Sequence, residues 1–220
     1  MAVDNSKYIR KFLLKELTPE CDNKEFYKFD AMVRNKDNRS NPYIKNHKGS
    51  FLLHSWLIST VEQYDKYIDE MTALCDATGA RLYMTLDRKS TQSMAIQLAD
   101  YANDLLKSMV RKNTLSTKNI FNVMNSLTSK KELSVHNSRK LLFDIDTDNW
   151  DEVDDLINIL MPISLAETGT VYILRSPNGW HVVTNRFNRD LISITNENID
   201  VKENALTIVY FNKEEEVESE

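Results

Sequence analysis

The chain is poor in the residues that mark fibrous, disulfide-linked and membrane-spanning proteins. Its 220 residues include only four glycines and four prolines, which excludes collagen-like and Pro/Gly-rich low-complexity proteins. The two cysteines, Cys21 and Cys75, lie far apart, so neither a disulfide framework nor a zinc knuckle is expected. No apolar run reaches the ~18 residues of a membrane helix. Basic residues interrupt residues 1–15, where the apolar core of a signal peptide would lie. We therefore expect a soluble, cytoplasmic protein with no membrane partner.

The residues that are abundant indicate a compact protein whose two halves differ in charge. The hydrophobic fraction is 41%, and a chain of this length buries enough surface for one sizeable α/β domain. Basic residues exceed acidic ones in residues 1–140, and the reverse holds in residues 141–220. A basic half suits a polyanion and an acidic half suits a cation. The alternative is that both are solvated faces.

The spacing of apolar residues predicts a helical extension followed by a core of strands and helices. The expected helices cover residues 6–17, 60–77, 92–111 and 150–160, with Gly79 capping the second and Pro162 ending the last. The expected strands cover residues 81–86, 141–146, 171–174, 180–184 and 205–211. Residues 18–50 are polar and are expected to be irregular. The predicted division is an N-terminal helix and polar arm (1–50), a core (51–212) and a disordered acidic tail (213–220).

Two aspartates stand in the most hydrophobic part of one predicted strand. In Phe143-Asp144-Ile145-Asp146, the period of two places Asp144 and Asp146 on one face. Adjacent carboxylates repel each other, so a divalent cation, a shared proton or a basic partner has to neutralise them. Surface or capping acids are the alternative, and Asp148 fits an N-cap of the following helix.

A histidine follows a predicted turn about thirty residues later. The turn Ser176-Pro177-Asn178-Gly179 precedes His181, and it presents the Ser176 side chain and backbone amides toward the same strand end. A single histidine on a strand is often structural. The aspartate pair earlier in the chain raises the alternative that His181 belongs to a catalytic site.

This combination resembles the archaeo-eukaryotic primase superfamily, including the primase-polymerase-like proteins of phages and plasmids. Its first motif matches Phe143-Asp144-Ile145-Asp146, its second matches Gly179-Trp180-His181, and Ile199-Asp200 is the candidate for the third. The resemblance implies an α/β (α+β) fold with a mixed central β-sheet of primase-like, RRM-related type, flanking helices and an N-terminal helical extension. It also implies that Asp144 and Asp146 bind Mg²⁺ or Mn²⁺, with Asp200 as the candidate third ligand, and that Asp144, Asp146 and His181 are catalytic. If a phage encodes the protein, the resemblance places it in the host cytoplasm.

The resemblance further implies nucleoside triphosphates, single-stranded or primed nucleic acid and replication proteins such as a helicase as partners.

Arg81 lies inside a predicted strand, where an arginine needs an acidic or phosphate partner. The candidate nucleotide-binding residues are Ser176, His181, Arg81 and Arg175. The candidate nucleic-acid-binding residues are Arg88, Lys89, Arg111, Lys112, Lys118 and Arg139.

Two other functions remain open for the same residues. A metal-bound water would make the site a nuclease or nucleotide phosphohydrolase. Lys202 lies two residues after Asp200, and a lysine there would neutralise that carboxylate. In that case the protein is a catalytically degenerate primase fold that binds nucleic acid or protein as an accessory factor.

Overall fold

A computed structural model describes residues 2–21, 24–34, 50–112, 126–166, 171–192, 194 and 196–212. These residues form an α+β protein. The helices are α1 (Ser6–Glu16), α2 (Val61–Thr78), α3 (Thr91–Lys112) and α4 (Trp150–Ala166). The strands are β1 (Ala2–Asp4), β2 (Glu25–Val33), β3 (Phe51–Ile58), β4 (Arg81–Thr85), β5 (Lys89–Ser90), β6 (Lys140–Ile145), β7 (Tyr172–Ser176), β8 (Gly179–Asn185), β9 (Ile199–Glu203) and β10 (Leu206–Asn212).

The strands form two antiparallel sheets, so the expectation of one mixed sheet is wrong. The first sheet has the order β1-β10-β4-β2-β3, with β5 paired to β2, and the second has the order β7-β8-β6-β9. The strands are not parallel to their neighbours because of where the strands before and after each helix lie in the sheets. The strands that α2 and α4 connect run in the same direction, but a third, antiparallel strand lies between the two members of each pair. Each crossover is thus a split β-α-β unit.

Part of the N-terminal segment belongs to the first sheet, so the expectation that residues 18–50 are irregular is wrong for β2. Residues 35–49 of that segment and the predicted acidic tail (213–220) lie outside the described residues. Residues 25–33 form β2, which pairs with β3, β4 and β5, and β1 pairs with β10. A boundary at residue 50 therefore separates neighbouring strands of one sheet. The polar appearance of β2 comes partly from Lys28 and Asp30, whose charged groups lie 3.0 Å apart and are almost completely buried. They neutralise each other, which allows a charged strand to occupy the centre of a sheet.

The helix predictions are largely confirmed, with one error at Pro162. Thr60 accepts a hydrogen bond from the backbone N–H of Gln63 at the start of α2, and Gly79 ends that helix with a φ of 63°. This positive φ favours glycine. Helix α4 continues through Pro162 to Ala166. The predicted stop is wrong because Ile163, beyond the proline, packs against the same cluster as Val153 and Leu160 and keeps the end of the helix against the sheet.

The two sheets share one hydrophobic core. Phe12 of α1, Tyr27 of β2 and Leu82 of β4 pack in the same cluster as Leu142 and Val183 of the second sheet. The opposite face of the second sheet packs against α4. One face of β6 is therefore covered by a helix, and its other face is turned toward the first sheet. Within the described residues, no helix is long and apolar enough to cross a membrane.

Candidate active site

Three candidate site residues form a row across the second sheet. Asp144 on the central strand β6 is directly opposite His181 on β8 and directly opposite Asp200 on β9. Because residues in register point to the same face, their side chains meet on the face that is turned toward the first sheet. The sheet therefore brings together one residue from each of the three motifs recognised in the sequence.

The carboxylate of Asp144 accepts hydrogen bonds from two side chains, those of His181 and Lys202. His181 Nε2 lies 3.3 Å from Asp144 Oδ1, and Lys202 Nζ lies 2.6 Å from Asp144 Oδ2. The pKa of Asp144 is lowered to about 2, mainly by the hydrogen bond with His181 and then by that with Lys202, while burial acts in the opposite direction. Asp144 is therefore a carboxylate anion at any physiological pH.

The position of His181 is fixed from its other side. His181 Nδ1 lies 2.9 Å from Thr207 Oγ1 on β10, and His181 itself is 8% exposed. Since Asp144 is an acceptor, Nε2 carries a proton. The Thr207 hydroxyl is both a donor and an acceptor, so it can form a hydrogen bond with Nδ1 whether or not that nitrogen carries a proton. The first sheet therefore orients a residue of the second.

Lys202 occupies the position between two carboxylates. Its Nζ lies 3.2 Å from Asp200 Oδ2 as well as 2.6 Å from Asp144 Oδ2. These hydrogen bonds, that with Asp144 first, raise the pKa of Lys202. The neutralisation that the sequence raised as an alternative is thus present as an ion pair. Among the described residues, no group of three or more His, Cys, Asp and Glu side chains is arranged to hold a metal ion.

Asp144 and His181 of this row line a cleft of about 580 Å³ between the two sheets, whereas Asp200 lies outside its lining. Asp144, Asp146, Ser176, His181 and Lys202 line it from the second sheet and its hairpin, together with Leu142, Pro177, Asn178 and Glu203. The first sheet contributes Arg34, Arg81, Tyr83, Leu206 and Ile208, and Ala205 lies between the sheets. The cleft therefore sets carboxylates on one wall opposite guanidinium groups on the other.

Arg81 is held on an aromatic ring inside the first sheet. Its guanidinium carbon lies 4.4 Å from the ring centroid of Phe211, and the residue is 6% exposed. A guanidinium is always charged and stacks well on aromatic faces. Arg34, which follows β2, donates to the Tyr83 hydroxyl at 3.4 Å. Nothing in the sequence singled out Arg34, because its approach to the cleft depends on the pairing of β2 with β4.

The hairpin between β7 and β8 brings Ser176 to the cleft through a close approach at Gly179. A Cβ atom on Gly179 would lie 2.1 Å from the carbonyl oxygen of Ile145 and 2.6 Å from that of Thr147. Both atoms belong to the backbone that directly follows the Asp144 strand segment. Glycine is therefore required for the turn to pack against the end of β6.

Arg175 lies outside this cleft, on the other face of the hairpin. Its Nη2 lies 2.6 Å from Asp148 Oδ1, and its guanidinium stacks on Trp180 at 4.3 Å. Asp148 thus pairs with Arg175, while the Asn149 side chain accepts from the backbone N–H of Asp151 at the start of α4. The structure does not bring Arg175 to the other candidate nucleotide-binding residues.

Arg88 and Lys89 are turned into the protein. Arg88 Nε lies 3.0 Å from Glu25 Oε2, and Arg88 also donates to the backbone carbonyl of Glu16. Lys89 is fully buried and donates to Ser134 Oγ and Asn204 Oδ1, each at 2.8 Å. Burial lowers the pKa of Lys89. Both cations are therefore engaged in contacts within the protein.

The remaining candidate nucleic-acid residues divide into two groups. Lys118 lies outside the described residues, as do the side chains of Arg111 and Lys112 at the end of α3. Arg139 is half-buried directly before β6, and it lines a second cleft.

Comparison of the chain with protein-family models, curated proteins and solved structures finds no match.

Proposed function

We propose that the protein is a metal-dependent nucleotidyltransferase of primase or primase-polymerase type that uses nucleoside triphosphates and a nucleic-acid template. The observation that carries the proposal is that Asp144 and His181, aligned on neighbouring strands, face Arg81 across one cleft. Asp200 continues their row on β9 but does not line the cleft. Phosphoryl transfer is catalysed mainly by positioning and by neutralising charge. A cleft with carboxylates on one wall and guanidinium groups on the other suits a metal-bound triphosphate.

The topology of the second sheet supports this assignment. Its order β7-β8-β6-β9, with α4 between β6 and β7 and a hairpin between β7 and β8, is the strand order of RRM-related sheets. The two central strands, β6 and β8, carry Asp144 and His181. Fold similarity alone does not define a function, and the proposal therefore depends on the residues of the cleft.

Mg²⁺ or Mn²⁺ is the cofactor that the proposal requires, and the donor chemistry fits these ions. Asp144 and Asp146 line the cleft with carboxylate oxygens, and Mg²⁺ is usually held by one or two carboxylates together with substrate phosphates. Asp200 becomes available as a third ligand only when Lys202 releases it. A bound ion would neutralise charge on the triphosphate.

The side chains of the cleft have separate tasks in this proposal. His181, held by Asp144 and Thr207, donates through Nε2 to a phosphate oxygen when the triphosphate displaces the carboxylate from it. Arg81 and Arg34 neutralise the phosphates from the opposite wall. Ser176 and the backbone amides of its turn bind the remaining phosphate oxygens.

A second candidate function is a metal-independent module that binds nucleotides or nucleic acid. The observation that favours it is the 2.6 Å ion pair between Lys202 and Asp144, which already neutralises the carboxylate. Ligand binding by such a module would be insensitive to EDTA, whereas binding by the proposed enzyme would require the divalent ion.

The test of the proposed function is nucleotide incorporation. The protein is incubated with a primed or unprimed template, Mn²⁺ and labelled nucleotides, and products are separated by length. We expect wild type to extend or synthesise strands and the double variant Asp144→Ala/Asp146→Ala to be inactive. Asp148→Ala is the matched control, because Asp148 is a nearby carboxylate outside the cleft. Equal incorporation by wild type and the double variant contradicts the proposal, and shortened strands or free phosphate indicate a hydrolase.

A further inference from the structure

A second cleft, of about 710 Å³, adjoins the candidate active site through Glu203, which lines both. Its walls are the segment that precedes β6 and the segment that follows β8. The lining residues are His136, Asn137, Arg139, Asn185, Arg186, Phe187, Asn188, Arg189 and Glu203. We call this the arginine cleft. The proposed catalytic chemistry uses none of its side chains.

The arginine cleft carries an excess of positive charge. Three arginines line it, and Glu203 is the carboxylate among the lining residues. That carboxylate is already paired with Lys131 at 3.4 Å and with Arg186 at 3.5 Å. In the part of the chain that the structure describes, Arg139 and Arg189 have no carboxylate within ion-pair distance. Their charges are therefore available to an anion from outside.

The backbone that holds these arginines is fixed. Arg186 N–H donates to the carbonyl oxygen of Arg139 at 3.0 Å, one step beyond the last pair of β6 and β8. Phe187 is buried, and its ring is stacked on Phe143 with centroids 6.5 Å apart. The Asn188 side chain caps the short 3-10 helix that contains Arg189. The cations thus emerge from anchored positions, which lowers the entropic cost of binding an anion.

We propose that the arginine cleft binds the phosphodiester backbone of a single-stranded nucleic acid. Guanidinium groups match phosphate oxygens with two parallel hydrogen bonds. The two arginines without a carboxylate partner among the described residues, Arg139 and Arg189, line one groove and match a ligand with repeated phosphates. Of the two ring side chains in the lining, Phe187 is buried and His136 is exposed, and a ring that stacks on a base does not distinguish one base from another. Recognition is therefore through phosphates and independent of base sequence. A concave groove follows the backbone of one strand.

The shared residue Glu203 indicates the path of the bound strand from one cleft to the other. A strand in the arginine cleft that passes Glu203 enters the cleft of Asp144 and His181. This continuation depends on the proposed function. Binding in the arginine cleft does not depend on it, because none of the metal or triphosphate residues takes part.

The experiment measures the fluorescence anisotropy of labelled single-stranded DNA and RNA oligonucleotides at several salt concentrations. The test variant is Arg139→Gln/Arg189→Gln, which removes two cations from the cleft. The matched control is Lys7→Gln/Lys11→Gln, which removes two exposed cations from α1. We expect the test variant to bind about tenfold more weakly and the control to bind as wild type does. The slope of log K against log salt should fall by about 1.4, since each lost contact to a single strand contributes about 0.7.

Two further measurements separate the possible causes. Arg139→Lys/Arg189→Lys keeps both charges and should recover part of the affinity, which a folding defect in the glutamine variant would not predict. Wild type should bind the oligonucleotide in EDTA and without nucleotide, even if incorporation assays find no polymerase. Equal affinity of the test and control variants overturns the proposal. Tighter binding of duplex than of single strands overturns the single-strand assignment.

Discussion

At the scale of single residues, Lys202 determines how the candidate site responds to metal ions. Its ammonium group stands between Asp144 and Asp200, where a divalent cation would otherwise find two carboxylates. The lysine is a permanently attached counter-ion, and a metal ion has to compete with it. The protein therefore does not need a metal ion to neutralise the half-buried carboxylate of Asp144.

Replacing Lys202 with methionine should increase affinity for Mn²⁺ in the absence of nucleotide. The variant keeps the aliphatic length but leaves Asp144 and Asp200 to repel each other, so we expect Mn²⁺ to raise the melting temperature more than in wild type. Without metal, the variant should be less stable by about 1 kcal/mol, since the lysine is partly exposed. Lys131→Met, which removes the partner of Glu203, is the control. An unchanged response to Mn²⁺ contradicts this role.

The ionisation of Asp144 predicts a pH-dependent contribution to stability. Its pKa is lowered to about 2 in the folded protein, first by His181. A lowered folded-state pKa stabilises the protein above the unfolded pKa of about 3.9, and this contribution is lost as pH falls toward 2. We expect Asp144→Asn to cost roughly 1–2 kcal/mol at pH 7 and clearly less at pH 3.

Urea unfolding of wild type and Asp144→Asn between pH 3 and pH 7 measures this difference. Asp148→Asn serves as the control, because its carboxylate is largely exposed. A difference in unfolding free energy that stays constant across the range would show that Asp144 is not stabilised as an anion.

At the scale of elements, the β7-β8 hairpin sets the register of His181. Gly179 fits against the carbonyl oxygens of Ile145 and Thr147, and this contact fixes where the following strand begins. The alignment of His181 with Asp144 two residues later depends on that start. A shift of one residue would turn His181 to the opposite face.

Gly179→Ala should therefore destabilise the protein by about 2 kcal/mol or more, because the new methyl group overlaps backbone atoms that have little room to move. Chemical denaturation measures the loss. Asn178→Ala changes an exposed residue of the same turn, and we expect its effect to stay within about 0.5 kcal/mol. Similar stabilities for the two variants would argue against a register fixed by the glycine.

Sequence reasoning located the elements whose patterns are local and missed those that depend on distant partners. Helix α2 has a regular apolar stripe and clear caps, and its prediction is confirmed. Strand β2 was missed because Lys28 and Asp30 appear polar until they are seen as a pair. The pairing of β9 with β6 is not predictable either, because the alternation of Ile199 and Val201 with polar residues indicates a strand but not its neighbour in the sheet.

The same distinction applies to the site. Asp144, Ser176 and His181 were recognisable because strand period and turn chemistry place them. The inward orientation of Arg88 was not, since its partner Glu25 belongs to a strand that the sequence did not reveal. Thr207, which holds His181, carries no signal of its own in the sequence.

At the scale of the whole molecule, Asn5 joins the two sheets. It is 2% exposed; its side chain donates to the carbonyl oxygens of Arg175 and Ile208 and accepts from the N–H of Arg175. These bonds connect β7 of the second sheet to β10 of the first. Both walls of the candidate site thus depend on one buried amide.

Asn5→Ala should cost about 2–4 kcal/mol, because it leaves buried backbone groups without partners. We also expect weaker nucleotide binding, since the sheets are no longer held at a fixed distance. Denaturant midpoints and nucleotide-induced shifts in melting temperature measure both effects. Asn212→Ala, which removes a surface contact between the end of β10 and Asp76 of α2, is the control. A variant that loses stability but keeps full nucleotide affinity would limit Asn5 to a folding role.

The link between β9 and β10 limits how the protein admits a ligand. The chain passes from the second sheet to the first through Asn204 and Ala205 alone. Asn204 has a φ of 50°, and its side chain accepts from the buried Lys89. A tether this short and this firmly anchored does not act as a hinge. The distance between the two walls should therefore stay constant. A ligand should enter the cleft by displacing side chains and not by separating the sheets.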